Sequence, residues 1–344
     1  MVLIISDLSI QYNDDDGAVY AVDDVSCEID DGEIVGLLGE SGGGKSTLAK
    51  SLVRDLDSNA EITAGEIVYE GTDLLSLSEE EMRKVRWDDV AYVPQNAMNC
   101  LDPVYTIEEQ MTETIGVHRD IPHEEEVEMA KEVFDIVGIE QKRLKDYPHE
   151  MSGGMKQRIV LALSLILEPE LIIADEPTTG LDVLLRDKIL ADIERYRDEF
   201  DISVLIVSHD IADLVETCDR LMVMYGGNIV EKSPSRELIE QARHPYTMGL
   251  KNSLPTIESK PGDLIAMDME PPDLRNPPEG CIFVNKCPYE VPECHDAHPE
   301  FDRDGENEAA CYRADEHESL EARIDQHGWH DAETMEEVTN VEQD

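Results

Sequence analysis

The chain has 344 residues, 41% of them hydrophobic but only 5% aromatic, and a formal net charge of −51. That length admits one large α/β domain with a smaller appendage, built around an aliphatic core. So negative a chain repels nucleic acid, and dense aliphatic runs between the acids exclude a disordered polymer; the balance fits a folded protein adapted to very high salt, where the screening length falls to about 3 Å.

The opening "MVLIISDLSI" lacks a basic region and meets Asp7 early, so it reads as a strand and not as a secretion signal. "EIVGLLGE" (33–40) is a buried strand that runs into glycines, and "STLAKSLV" opens a helix. Between them, "GESGGGKST" (39–47) fits G-x-x-x-x-G-K-[ST]. Glycines such as Gly39, Gly42 and Gly44 let backbone N–H groups turn inward around phosphates, with Ser41 and Thr47 on the same turn. Lys45 then neutralises the β- and γ-phosphates, and Ser46 offers a hydroxyl to Mg²⁺.

Gln95, in "YVPQNAMN", follows a short strand and has a carbonyl oxygen able to ligate Mg²⁺. Residues from about 96 to 160 interrupt the strand–helix alternation with a helical insert, including "HEEEVEMAKEVFDIVGI". The longest apolar run, "IVLALSLIL" (159–167), is about half of what a bilayer span requires, so membrane contact is expected only through a partner and the chain is expected in the cytoplasm. Near the end of the insert, "MSGGMKQR" (151–158) holds a second glycine turn with the makings of an anion cradle.

"LIIADEP" (171–177) buries a strand and delivers Asp175 to a Mg²⁺ shell, with Glu176 placed to polarise a water. "SVLIVSHD" (203–210) is another strand, and His209 at its end can reach the γ-phosphate. The alternation indicates a mostly parallel sheet covered by helices over residues 1–255. From "NSLPTIESKPGDL" prolines rise, marking a boundary near 255; a small cysteine-rich module follows over 256–314, then an acidic tail (315–344) read as solvated and mobile. A GTP-dependent switch would need a base-reading N-K-x-D, which "NKCP" at 285 fails to supply.

Seven cysteines fall into two groups. Cys27, Cys100 and Cys218 are scattered and read as buried small hydrophobes. Cys281, Cys287, Cys294 and Cys311 crowd together, separated by five, six and sixteen residues, which suits neither zinc ribbons nor the compact ferredoxin run. In a reducing compartment they read as a four-thiolate site of undetermined metal, with disulfides or free thiols as the alternative.

The succession phosphate loop, Gln95, "MSGGMKQR", "LIIADEP", "TTGLD" and "SHD" resembles the ATP-binding cassette (ABC) ATPases across residues 1–255. The resemblance implies a P-loop fold with an N-terminal antiparallel β-subdomain and a helical subdomain. It also implies that Ser152, Gly153 and Gly154, with Met155 and Gln157 beside them, close over ATP held by a partner cassette, while Asp182 lies in the segment that crosses the interface. Met155 departs from the commoner glutamine. Tyr12 stands where the family stacks an aromatic on adenine, with Tyr20 as a rival.

"MYGGNIVE", "HPYTMGL" (244–250) and the tail "GCIFVNKCPYEVPECHDAHPEFDRDGENEAACY" are similar to the dipeptide/oligopeptide importer branch, in which matching cysteines bind a [4Fe–4S] cluster, zinc being the alternative here. "CLDPVYTIEEQ" (100–110) looks like one of the two non-identical ATPases of such importers. The branch implies a heterodimer with a second ABC ATPase, two transmembrane permeases and an extracytoplasmic solute-binding protein, with the chain peripheral on the cytoplasmic face of the membrane. Nickel or sugar import by the same branch is the alternative. A soluble non-transport ABC ATPase is more distant, because only 56 residues (96–151) separate Gln95 from Ser152, leaving no room for a long coiled-coil insertion.

Overall fold

The computed structural model describes residues 2–95, 97–252 and 272–327. Four strands, β1 (Leu3–Asp14), β2 (Gly17–Ile29), β4 (Ala60–Tyr69) and β5 (Thr72–Asp73), form an antiparallel sheet in the order β2-β1-β4-β5. A second, eight-stranded sheet contains β3 (Ile34–Gly39), β6 (Val90–Val93), β7 (Leu171–Asp175), β8 (Ser203–Ser208), β9 (Arg220–Tyr225), β10 (Asn228–Pro234), β11 (Asp302–Asp304) and β12 (Asn307–Ala309). Its order is β11-β12-β10-β9-β3-β8-β7-β6, parallel from β9 to β6 and antiparallel beyond β9.

The central strands are apolar on both faces because both are covered. Along β3, Ile34 and Leu38 join the core on the helical side, whereas Val35 and Leu37 join the core shared with the antiparallel sheet. β7 and β8 alternate in the same way, with Ile172, Ala174, Val204 and Ile206 on the helical side. The insert contributes the helices Ile107–His118, His123–Ile136 and Gly153–Leu165. The first starts at a reciprocal cap: Thr106 Oγ1 accepts from Glu109 N, and Glu109 accepts from Thr106 N.

"HPYTMGL" is a helix, Pro245–Asn252, and a buried acid fixes its start. Glu231 of β10, 1% exposed, accepts the amides of Arg243 (2.7 Å) and His244 (2.9 Å). His244 Nδ1 in turn accepts from Tyr246 N at 3.1 Å, and burial drives that imidazole down to about 3, so it is neutral.

The expected boundary near 255 lies outside the described residues. Beyond it, the cysteine-bearing segment shares the main domain's sheet and core. Glu231 and Lys232 pair with Ala309 and Glu308 of β12, and Ile282, Phe283 and Val284 belong to the helical-side core. Of the scattered cysteines, Cys27 and Cys218 are buried as expected, but Cys100 is exposed. The reading of 315–344 as a solvated tail needs correction for its first part. Residues His317–His327 form a helix whose Leu320 is fully buried, and Glu321 pairs with Lys251. Leu320→Ala is expected to cost about 2–5 kcal/mol of local stability; trypsin cleavage after Arg323 should quicken in the variant and lag in the parent.

Candidate functional site

Four parallel strands deliver the site from their carboxyl ends, where open α/β sheets bind ligands. β3 leads into the loop 40–44 and the helix Lys45–Leu52, β6 leads to Gln95, β7 ends at Asp175, and β8 is followed by His209. Their order, β3-β8-β7-β6, places those ends side by side.

The loop is shaped by backbone approach. Gly42 and Gly44 have φ of 82° and 98°, in the left-handed region that side chains resist. A Cβ on Gly44 would lie 2.0 Å from the Ala21 carbonyl oxygen, and one on Gly39 would lie 2.2 Å from that of Met224. Lys45 folds over this loop, its Nζ donating to the carbonyls of Gly39 (2.9 Å) and Glu40 (2.7 Å). Burial pulls the Lys45 pKa down, while Glu176, Asp175 and Glu40 counter it.

The two acids behind the loop have opposite environments. Asp175 is buried, accepting from Ser46 Oγ (3.1 Å) and the Tyr92 hydroxyl (3.0 Å); desolvation raises its pKa against those bonds. Around Glu176, burial also opposes ionisation, but hydrogen bonds from Thr179, His209 and Gln95 outweigh it and hold the carboxyl below its ordinary range. The distances are 2.8 Å from Thr179 Oγ1, 3.1 Å to His209 Nδ1 and 2.7 Å from Gln95 Nε2. Glu176 also has φ of 50°, a strained conformation concentrated at functional sites. The structure thus gathers Lys45, Ser46, Gln95, Asp175, Glu176 and His209. Gln95 lies against Glu176 and not in the Ser46–Asp175 pair that fits Mg²⁺, its carbonyl end unused in that bond.

Sequence reasoning missed Tyr92 and Thr179; each lies inside a quoted stretch, "YVPQNAMN" and "TTGLD", but its bond spans a strand pair or a turn that spacing does not define. Tyr12 is half-buried, and its hydroxyl meets Thr47 Oγ1 at 3.2 Å, joining the antiparallel sheet to the loop's helix; Tyr20 stands exposed.

On the second glycine turn, Ser152 caps the helix Gly153–Leu165 by accepting from Met155 N at 3.3 Å, with Ser152 and Gly153 exposed. Gly154 packs close to Leu185, where a Cβ would meet that side chain at 2.8 Å. Asp182 is exposed and caps the helix Val183–Phe200, and Val183 and Leu184 beside it are bare apolar residues. Gln157 departs from its expected place at the nucleotide face. It is buried and donates to the Pro177 carbonyl at 2.7 Å, which fastens the helix to the turn after β7.

The four clustered cysteines line one small cavity together with His244, Phe283, Tyr289 and Arg313, and none of the four is in a disulfide. Burial drives Cys281 up to about 11 and Cys311 up to about 12. Arg313 N donates to Cys311 Sγ at 3.4 Å, and the amides of Phe283 and Tyr289 serve Cys281 and Cys287 in the same way. Among the described residues, however, no three or more His, Cys, Asp or Glu side chains close to the spacing of a metal-ion site. The four-sulfur donor set suits a thiophilic metal, but the thiols are not drawn around a single ion as compact tetrahedral zinc binding requires.

Residues 22–179 match a family described as ABC transporter, and residues 230–294 one described as the oligopeptide/dipeptide transporter C-terminal region. The chain is 36% identical over 319 residues to the dipeptide transport ATP-binding protein DppD of Caldanaerobacter subterraneus subsp. tengcongensis, covering 92% of this chain and 98% of that one. It is 35% identical over 301 residues to the oligopeptide transport ATP-binding protein OppD of Salmonella typhimurium, covering 87% and 90%. A solved ATP-binding cassette, dimeric and bound to ADP and phosphate after hydrolysis, superposes with a TM-score of 0.61 at 28% identity, over 68% of this chain and 99% of that one. Gly44→Ala, which meets both positive φ and the Ala21 carbonyl, should weaken triphosphate binding at least about tenfold, read by equilibrium titration with ATP.

Proposed function

Because the chain belongs to the ATP-binding subunits of ABC transporters, in the dipeptide/oligopeptide branch, we propose that it hydrolyses ATP to power peptide import. The observation that carries the chemistry is Glu176, an ionised carboxylate gripped by three donors at the ends of neighbouring strands. Held below its ordinary range, it is ready to accept a proton from a water at neutral pH. Lys45 and the loop amides bind the phosphates, and Ser46 and Asp175 would hold Mg²⁺, which supplies charge neutralisation when bound. His209 and Gln95 contact the carboxylate directly, which suits them to report whether the γ-phosphate is present.

Assembly follows from what one chain leaves exposed. Ser152, Gly153, Asp182, Val183 and Leu184 lie on the surface, and we take them as the face that meets a second, related ATPase and completes its nucleotide site. A groove of about 860 Å³ beside the insert, lined by Arg54, Arg86, Trp87, Tyr92, Tyr105 and Glu113, suits a loop of a permease subunit. Gln95 follows β6, which carries Tyr92 of that groove, so nucleotide state and groove are linked along a single strand. No helix among the described residues is long and apolar enough to cross a membrane. From its likeness to dipeptide and oligopeptide transport ATP-binding proteins we take the chain as a peripheral subunit on the cytoplasmic face, working with two permeases and an extracytoplasmic solute-binding protein. The charge of −51 supports adaptation to high salt.

For the cysteine cavity we propose a [4Fe–4S] cluster with a structural or redox-sensing role. Its support is the four-thiol donor set and the backbone N–H groups aimed at three sulfurs, which partly offset the burial that raises these thiols and would serve cluster-bound thiolates. Iron and acid-labile sulfide in anaerobically purified protein would bear this out; one equivalent of zinc without iron would overturn it. For the hydrolytic role, Glu176→Gln should retain ATP binding while turnover falls about 10²–10⁴-fold; undiminished hydrolysis would refute the assignment.

A further inference from the structure

The chain carries a contact that nucleotide chemistry does not call for. The backbone N–H of Glu40, second residue of the phosphate loop, donates to the hydroxyl of Tyr246 at 3.2 Å, across 206 residues of sequence. Tyr246 is fully buried in a three-ring cluster. Its centroid lies 4.6 Å from that of Tyr225 and 5.6 Å from that of Phe283, and Tyr225 and Phe283 meet edge-on at 5.0 Å. Phe283 lines the cysteine cavity, and its amide serves Cys281.

A second route joins the same two places. Ile282 packs so tightly on Gly226 that a Cβ there would lie 2.6 Å away, and Gly227 N donates to the Gly43 carbonyl of the loop at 3.1 Å. Met224, one residue before Tyr225, supplies the carbonyl that crowds Gly39 and a methyl that crowds Gly44. Glu40 is itself nine-tenths buried with neither carboxylate oxygen hydrogen-bonded, so its backbone bond to Tyr246 fixes a residue whose side chain is otherwise untied.

We propose that Tyr246 is a positioning residue for nucleotide binding. It pins the entry to the phosphate loop and transmits to it the packing of segment 281–287, so that the state of the cysteine cavity adjusts ATP affinity. The proposal rests on the ATP-binding reading of the loop but not on which group occupies the cavity. A purely structural Tyr246 would fill space with its ring and leave the hydroxyl without effect. The hydroxyl instead takes up an amide of the loop whose carbonyls Lys45 already occupies.

The test uses the full chain with a fluorescent trinitrophenyl-ATP probe displaced by ATP. Tyr246→Phe keeps the ring and removes one hydrogen bond. It should weaken ATP roughly three- to tenfold with its melting temperature little changed, and peptides covering residues 39–45 should exchange their amide hydrogens faster. Phe283→Leu should weaken ATP in the same direction, and the double variant should be no weaker than the worse single one; if Phe283→Leu does not fold, Ile282→Val replaces it. ATP affinity within about twofold of the parent for Tyr246→Phe would overturn the positioning role. Additive losses would overturn transmission from the cysteine segment. Were the parent chain itself to bind no ATP, the nucleotide reading would fall first.

Discussion

The structure turns on a phosphate loop whose Gly39 and Gly44 leave no room for a side chain. Gly39 and Gly44 lie against the carbonyls of Met224 and Ala21, and Gly43 is bonded to Gly227. These contacts come from the antiparallel sheet on one side and from β9 and the β9–β10 turn on the other. A loop held from both sides can keep its amides turned toward a ligand in the absence of that ligand, which spares the ordering cost on binding. The same close fit makes the loop responsive to whatever moves its supports.

Electrostatics divides the labour behind that loop. Asp175 and Glu176 are adjacent in sequence, yet burial pushes the first up while three donors pull the second down. Two neighbouring carboxylates whose environments drive them apart take different parts in one reaction, one facing a hydroxyl pair and one facing donors at the open end of the site. Lys45 is desolvated next to both and remains compensated by them. Had all three been fully solvated, water and salt would screen most of these distinctions away.

The carboxyl-terminal segment is woven into the cassette. Its strand β12 lengthens the main sheet beside β10, and its aromatic and thiol side chains complete the helical-side core. Glu231 anchors the turn at Arg243 and His244, and that anchor orients Tyr246 toward the loop. The "HPYTMGL" stretch, which the sequence offers only as part of a family resemblance, is in the fold a bracket between a buried acid and the phosphate loop.

The sequence by itself determined what is local. The glycine-lysine turn, the acid pair after an apolar strand, the helix at 123–136 and the capped starts of other helices are all set by residues within a few positions of one another. Tertiary structure alone decided which donors hold Glu176, that Gln157 turns inward, that Leu320 anchors a helix in an acidic stretch, and that four thiols ring a cavity without closing on a single ion. Those outcomes depend on strand order and on contacts spanning tens to hundreds of residues. Periodicity specifies which face of an element is apolar; it does not specify which distant element will cover it.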